Sequence, residues 1–302
     1  YYRAIFQECG YTPESIQCKE DLQKLPVLTK RKIRDHFQDL IPDSISSIPH
    51  KRASTGGSTG EPLVYYLDYN SWSFTNANTI LNWEKTGYRY GDKYMALGST
   101  SLFVKKKRSI KHDIYYALKR KKGFNGINMS NDVCSKYVGI IQRDRIRYLY
   151  GYASSISLLA KYIASHNIKL DIQACFTTSE VLTYEYRKTI NSAFTCKIVD
   201  CYGANDGGIT AFSHEEGIFE VGYDTVFRLE HSEPIESTYP ILVTDLFNYA
   251  MPLINYKNED AVAVPSERNN QLGARFNGQI IERVAGRSSD VMVLENGSVL
   301  TG

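Results

Sequence analysis

Asp171-Ile172-Gln173-Ala174-Cys175-Phe176, then Thr183 to Phe194, then Lys197-Ile198-Val199-Asp200-Cys201 read in order as strand, helix and strand. Strands separated by helices predict an α/β sheet in the middle of the chain. Working back from there, Asp132 can cap a helix carrying Val133, Tyr137, Ile140 and Ile141. After Gly151, Ser154 or Ser155 can cap another, with Ile156, Leu159 and Ile163 on its inner face and a stop near His166-Asn167. Ile33, Phe37 and Leu40 give a short stripe at helical spacing behind a Pro26/Thr29 start signal. Towards the C-terminus, Phe219 to Leu229 and Ile241 to Thr244 read as strands with hairpin-like spacing. They predict an antiparallel subdomain in the last third.

With 302 residues the chain can bury a sizeable core, as one large domain or two smaller ones. Hydrophobic content of 42% and charged content of 23% are ordinary for a soluble globular protein. The net charge of +3 is unevenly spread. Lys105, Lys106, Lys107, Arg108, Lys111, Lys119, Arg120, Lys121 and Lys122 face a single anion, Asp113, so that stretch carries +8 and leaves −5 for the rest. Cations confined to one stretch do not make a nucleic-acid footprint, which needs a basic face. Two readings stay open for the stretch: a solvated loop and helix face, or a dock for a phosphorylated partner or anionic surface. Six scattered cysteines without a CxxC pair point to free thiols in a reducing cytosol. No apolar run approaches the roughly 18 residues of a membrane span. Tyr1 without Met and Gly302 after a turn-like Glu295-Asn296-Gly297 read as cut ends.

Ser54-Thr55-Gly56-Gly57-Ser58-Thr59-Gly60-Glu61-Pro62 concentrates hydroxyls and glycines ahead of Leu63-Val64-Tyr65-Tyr66-Leu67. Glycines let backbone N–H groups approach an anion, and hydroxyls add rotatable donors. A polar turn between strands is the alternative. The loop is not a Walker A sequence, because no Lys follows Gly60.

The loop resembles the phosphate loop of the adenylate-forming superfamily of acyl-CoA synthetases, adenylation domains and luciferases. Its doubled glycine and closing Glu-Pro look most like the phenylacetate–coenzyme A ligase branch and its capsular-polysaccharide relatives. Upstream, Leu25-Pro26-Val27-Leu28-Thr29-Lys30 with Arg34 is similar to the P-x-x-x-K-x-x-x-R segment of that branch. Asp200-Cys201-Tyr202-Gly203-Ala204-Asn205-Asp206 resembles N-x-Y-G-x-T-E at a strand end, where α/β sheets place ligands. The resemblance implies that Tyr202 lies against the adenine, Asp200 accepts from its amino group and Asp206 holds Mg²⁺. Thr177-Thr178-Ser179-Glu180 is similar to the turn forming the other adenine wall, through Ser179 and Glu180. Thr244-Asp245-Leu246 through Met251-Pro252-Leu253-Ile254-Asn255-Tyr256 to Asp260 looks like T-D-L-x-x-x-x-M-P-L-I-R-Y-x-T-x-D, with Asn255 in place of Arg. By that likeness Asp260 grips both ribose hydroxyls. Gly286-Arg287-Ser288-Ser289-Asp290 resembles the G-R-x-D-D hinge before a small lid, with Arg287 reaching ribose or phosphates.

The resemblance thus implies a large N-terminal adenylate-forming α/β domain over 1–285, a β-rich subdomain at about 209–285, and a hinge with the start of a lid at 286–302. It implies a cytoplasmic ligase that uses ATP and Mg²⁺ to make an acyl-AMP, with coenzyme A as acceptor. Thr59, Asp206 and Arg287 are the expected catalytic residues. The nucleotide residues are Ser54 to Gly60, Ser179, Glu180, Asp200, Tyr202, Gly203, Asp260 and Arg287. The acyl-pocket candidates are Tyr152, Ser154, Gly203, Gly207 and Gly208, where small side chains leave room for a bulky acid. The expected partner is a small carboxylate, with no nucleic acid and a homodimer left open. Only His214 and His231, and no Cys, occur between Ile209 and Phe276, so no zinc is expected. The lid Lys would lie past Gly302, so the chain as given is expected to bind nucleotide and adenylate poorly. A non-catalytic nucleotide-binding scaffold is the alternative, motivated by the departures at 200, 205, 206, 255 and 289.

Overall fold

The computed structural model describes residues 1–55, 62–99, 114, 118, 120–215, 217–230, 237–265, 279–287, 291–293 and 299–301, with the backbone alone at 287, 291–293 and 299–301. The elements used below are α1 (Tyr2–Glu8), α2 (Lys30–Asp35), β1 (His50–Ser54), β2 (Val64–Asp68), α3 (Tyr69–Glu84), β3 (Tyr94–Gly98) and β4 (Lys121–Asn125). They continue with α4 (Asn131–Asp144), β5 (Tyr148–Gly151), α5 (Ala153–Ser165), β6 (Ala174–Thr178), α6 (Tyr184–Ala193), β7 (Lys197–Gly203) and β8 (Thr210–Glu215). The last are β9 (Ile218–Val221), β10 (Thr225–Leu229), β11 (Tyr239–Asp245), β12 (Tyr256–Ala263), β13 (Ile280–Ile281), β14 (Arg283–Arg287), β15 (Val291–Val293) and β16 (Val299–Thr301). The chain forms two compact units: Tyr1–Asn78 with Gly203–Ala211 and Gly217–Gly302, and Thr79–Tyr202 with Phe212–Glu216.

The second unit is built on parallel strands in the order β7-β6-β5-β3-β4. Its inner strands β3, β5 and β6 are buried on both faces, and alternation along the strands sorts two different cores. Met95, Leu97, Leu149, Cys175 and Ile198 face an aliphatic layer with Val138 and Ile141 of α4, Ile156, Leu159 and Ile163 of α5 and Ile190 of α6. Tyr94, Ala96, Tyr148, Phe176 and Val199 face an aromatic layer with Trp83 and Tyr88. There the Trp83 ring stacks on Phe176 at 4.1 Å and 7°. Each fully buried Leu, Ile or Phe contributes about 1.5–3 kcal/mol.

The middle helices form as their apolar spacing predicts, but two caps differ. Ser130, not Asp132, caps α4 by accepting from the Val133 N–H at 3.4 Å. Asp132 stands in the first turn, where its charge favours the helix dipole. Neither Ser154 nor Ser155 caps α5. Its N-cap position is Tyr152, which makes no side-chain cap bond; Ser155 is buried and donates to the Gly126 carbonyl at 2.8 Å. α6 starts behind Thr183, whose hydroxyl accepts from the Tyr186 N–H.

In the first unit, β10, β11, β12 and β14 form an antiparallel sheet. The run Phe219 to Leu229 is two strands rather than one, because the chain turns at Gly222-Tyr223-Asp224. A Cβ at Gly222 would meet Asp224 Oδ1 at 2.7 Å and Asn78 Nδ2 and Thr210 Oγ1 at 2.8 Å. Asp224 is itself buried and accepts from Asn78 at 2.6 Å. α2 starts behind Thr29, which accepts from the Lys32 N–H, and ends before Phe37. Ile33 and Leu40 of the sequence stripe are buried. The segment before α2 docks on the sheet: the Leu28 N–H donates to the Asn255 carbonyl at 3.1 Å, and the Lys257 N–H donates to the Leu28 carbonyl at 2.9 Å.

Candidate active site

In the first unit, β1 and β2 are the two arms of an antiparallel hairpin, with Ser54 opposite Val64. Thr55 closes its neck: its N–H donates to the Leu63 carbonyl and its hydroxyl accepts from the Leu63 N–H, both at 2.9 Å. The phosphate-loop residues Gly56, Gly57, Ser58, Thr59 and Gly60 lie outside the described residues, as do Ser288 to Asp290.

Gly203 ends β7, and the Ala204 N–H donates to the Ile209 carbonyl at 3.0 Å, closing a short loop that carries Asp206. The Tyr256 hydroxyl at the start of β12 donates to Asp206 Oδ2 at 2.9 Å. Tyr256 is fully buried, and burial together with the Asp206 charge pushes its phenol pKa well up. The hydroxyl therefore stays protonated and acts as a donor. Gly207 and Gly208 take φ of +92° and +72°, which favours glycine. A Cβ on Gly207 would overlap Val243, and one on Gly208 would overlap the Asp245 carboxylate. Their missing side chains are thus required by the packing against Val243 and Asp245. Asp245 is buried and held by Ser71 at 2.5 Å and by the N–H groups of Phe247 and Asn248. Burial raises its pKa, against those hydrogen bonds.

Asp260 owes its position to an irregularity in β12. Pro240 pairs with Ala261 and Leu242 with Lys257, so residues 258–260 stand against Ile241 alone. Such a bulge re-aims side chains at sites. Glu259 takes φ of +74° there and forms an ion pair with Lys30. Asn258 completes the turn, accepting from the Asp260 N–H at 3.0 Å and donating to Asp260 Oδ2 at 3.1 Å. Arg287 lies opposite Asp260 in the β12–β14 register. Asn255, the departure from the family's Arg, is buried with φ of +55°. It donates from Nδ2 to the Leu25 carbonyl and accepts from Arg228 at Oδ1, both at 3.0 Å. Arg228 of β10 thus brings a guanidinium to the Asn255 side chain.

The second unit carries the other candidates on the C-terminal ends of its parallel strands. Asp200 on β7 accepts from the Thr177 hydroxyl of β6 at 2.8 Å. Burial pushes its pKa up, opposed by that hydrogen bond. Tyr202 follows on the same strand, half-buried. Ser179 turns the chain after β6 with φ of +65°, a left-handed value that is uncommon outside glycine. Glu180 then accepts from the Ser154 N–H at 2.9 Å. It supplies the anionic cap that α5 lacks from its own sequence. The Tyr152 hydroxyl meets Ser99 Oγ at 3.0 Å. Ser179, Glu180, Tyr152, Ser154 and Asp200 are therefore brought together around two adjoining strand ends and one helix start.

With this geometry in view, the comparisons fall into one class. No family model matches the chain. Protein CapK of Staphylococcus aureus is 25% identical over 100% of this chain and 66% of its own length. The phenylacetate-coenzyme A ligase of Pseudomonas putida is 24% identical over 99% of this chain and 68% of its own. The chain is homologous to phenylacetate–coenzyme A ligases of the adenylate-forming superfamily. It spans about two thirds of the length of these curated relatives. A 2-hydroxyisobutyryl-CoA ligase, solved with 2-HIB-AMP and CoA, superposes with a TM-score of 0.67 at 18% identity, covering 99% of this chain and 72% of that one. ATP-bound MatB from Rhodopseudomonas palustris gives 0.56 at 11% identity over 83% of this chain and 50% of that one. The mixed α/β architecture, with its large parallel sheet and separate antiparallel sheet, is the adenylate-forming fold.

Motif matching singled out Asp206, Asp260 and Asp200 but gave no role to Tyr256, Asn258 or Thr177, the side chains bonded to them. Tyr256 and Asn258 lie inside the quoted motif, two residues apart on one strand, which was the available signal. Lys30 belongs to the matched segment upstream, and nothing in its spacing links it to Glu259. Of the basic stretch, the described Lys122 pairs with Asp144. His214 bonds Asn82 at 3.1 Å, and His231 lies outside the described residues.

Proposed function

We propose that the protein activates a carboxylate with ATP as an acyl-AMP and passes the acyl group to coenzyme A. The observation that carries this reading is the bonding of two motif carboxylates to side chains of one strand: Asp206 by Tyr256 and Asp260 by Asn258. A carboxylate fixed from one side by a donor keeps its remaining lone pairs in a set direction. Asp260 would accept from the ribose hydroxyls, and Asp200 from the adenine amino group beside Tyr202. Asp206 suits Mg²⁺, which takes one or two protein carboxylates and otherwise phosphate and water. Among the described residues no group of three or more His, Cys, Asp or Glu side chains could hold a metal ion, and the Mg²⁺ meant here is one carried by the nucleotide. That ion would supply charge neutralisation at the phosphates. Carboxylates are poor acyl donors because oxide is a poor leaving group, and AMP replaces it with a good one. Ser54 to Gly60, with Thr59 and Arg287, would bind the phosphates, and Tyr152 and Ser154 would face the acyl group. Residues 286–302 would form the hinge and the first part of a lid.

The likeness to Protein CapK supports a finer reading, a role in polysaccharide biosynthesis. No described helix is long and apolar enough to cross a membrane. The scaffold alternative drew on the departures from the motifs. Asn255 weakens it, since that substitution is built into a hydrogen-bonded junction rather than left as a gap. ATP–pyrophosphate exchange by the full-length protein over a panel of aromatic and small aliphatic acids tests the proposal. Exchange dependent on one class of acid supports it. Tight ATP binding without exchange for any acid favours the scaffold.

A further inference from the structure

The aliphatic face of the parallel sheet holds two thiols in contact. Cys175 is fully buried in β6, and Cys196 stands half-buried one residue before β7, with 3.7 Å between their Sγ atoms. Lys197 pairs with Ala174 and Ile198 with Cys175, which places the two cysteines diagonally across adjoining strands. Cys196 also lines a groove of about 920 Å³ with Gln173, Asn191, Thr195 and Lys197. The groove lies at the N-terminal ends of β6 and β7, whereas Thr177 and Asp200 lie towards the C-terminal ends of the same strands.

We propose that Cys175 and Cys196 form a peroxide-reactive dithiol, closing to a disulfide that staples β6 to the start of β7. One partner is reachable from a polar groove and the other is sealed behind it, an arrangement of attacking and resolving thiol. Interaction with the Cys175 thiol, and then with its backbone, lowers the Cys196 pKa against the effect of burial. The thiolate is the nucleophilic form. Cys196 Sγ attacks one oxygen of hydrogen peroxide, the O–O bond breaks, and the leaving hydroxide takes a proton to become water. Cys196 is then a sulfenic acid. Cys175 Sγ attacks that sulfur, the S–O bond breaks, and the hydroxyl leaves with the Cys175 proton as a second water. Two electrons pass from the thiol pair to one peroxide, and the 3.7 Å contact closes to a bond of about 2.0 Å.

Non-reducing digestion and mass spectrometry of the chain after one equivalent of hydrogen peroxide test this. The expected product is a cross-linked peptide pair joining residues 175 and 196, with free thiols falling from six to four and the exposed Cys18 still alkylatable. In Cys175→Ser the reaction should stop at a sulfenic acid on Cys196 that dimedone captures. Oxidation of Cys18 with 175 and 196 left unlinked would overturn the proposal. So would a Cys175→Ser chain carrying no dimedone adduct on Cys196. The wild-type digest does not depend on the Cys175→Ser chain folding.

Discussion

The Tyr256 hydroxyl donates to Asp206 Oδ2 at 2.9 Å, from a ring that is itself fully buried at the start of β12. The Asp206 side chain is one methylene shorter than the Glu of the motif it resembles. The tyrosine holds that shorter side chain in a single orientation. A hydrogen bond to a charged group contributes about 1.5–3 kcal/mol. Tyr256→Phe is therefore expected to weaken Mg·ATP binding about tenfold, and Asp206→Asn by at least as much. If Tyr256 acts through Asp206, the double variant binds no more weakly than Asp206→Asn alone, measured by calorimetry. Additive losses would mean a purely structural tyrosine. An unchanged affinity in Asp206→Asn would remove Asp206 from the nucleotide site.

The buried Asp200 has the opposite relation to its surroundings. Burial raises its folded pKa above the unfolded value, so it stabilises the fold only when protonated. That contribution is fully present below the unfolded pKa near 4 and is lost as pH rises through the raised folded value. Asp200→Asn keeps an acceptor for Thr177 and never ionises. Its Tm is expected to match wild type near pH 3.5 and to exceed it at pH 7. Thermal melts across that range check the sign, and a variant less stable at pH 7 contradicts it.

Asn255 combines a left-handed backbone with two long-range hydrogen bonds, to Leu25 and Arg228. Asn255→Ala loses both bonds and meets the αL penalty, for a loss of about 2–4 kcal/mol in urea unfolding. Asn255→Gly keeps the backbone relief and should lose about 1 kcal/mol less. Equal losses would mean that φ of +55° carries no strain in the folded chain.

Gly208→Ala would force a methyl group into the Asp245 carboxylate at a φ of +72°. A loss of more than about 2 kcal/mol is expected from overlap and backbone together. Gly217→Ala, also at positive φ but with nothing within 4 Å of the added carbon, should lose only the backbone part. Circular-dichroism melts of the two variants separate the contributions.

The alternating strand and helix runs between 130 and 203 made an α/β sheet legible through β6 and β7, because local periodicity sets which faces are apolar, but they do not single out β3, β4 or β5. Ser130 and Asp132 are equally good N-cap residues two positions apart, so residue type alone does not select Ser130 as the α4 cap. Phe219 to Leu229 read as one strand because Gly222 is a lone glycine. The demand for it comes from Asp224, Asn78 and Thr210, two of which are distant in sequence. Motif likeness located Asp260 and Asp206 but could not supply their supports. The β12 bulge depends on pairing with β11, and the Glu180 cap on α5 joins two separate turns. Such pairings are properties of register, which residue type does not encode locally.

The bulge at 258–260 also has a use that needs no substrate. Three residues opposite one leave that part of the strand short of ladder bonds, so its amides should exchange with solvent through small local openings while flanking β12 amides wait for larger ones. A nucleotide gripped by Asp260 would close those openings. Deuterium uptake at three consecutive amides would then report occupancy directly, whichever acid is supplied.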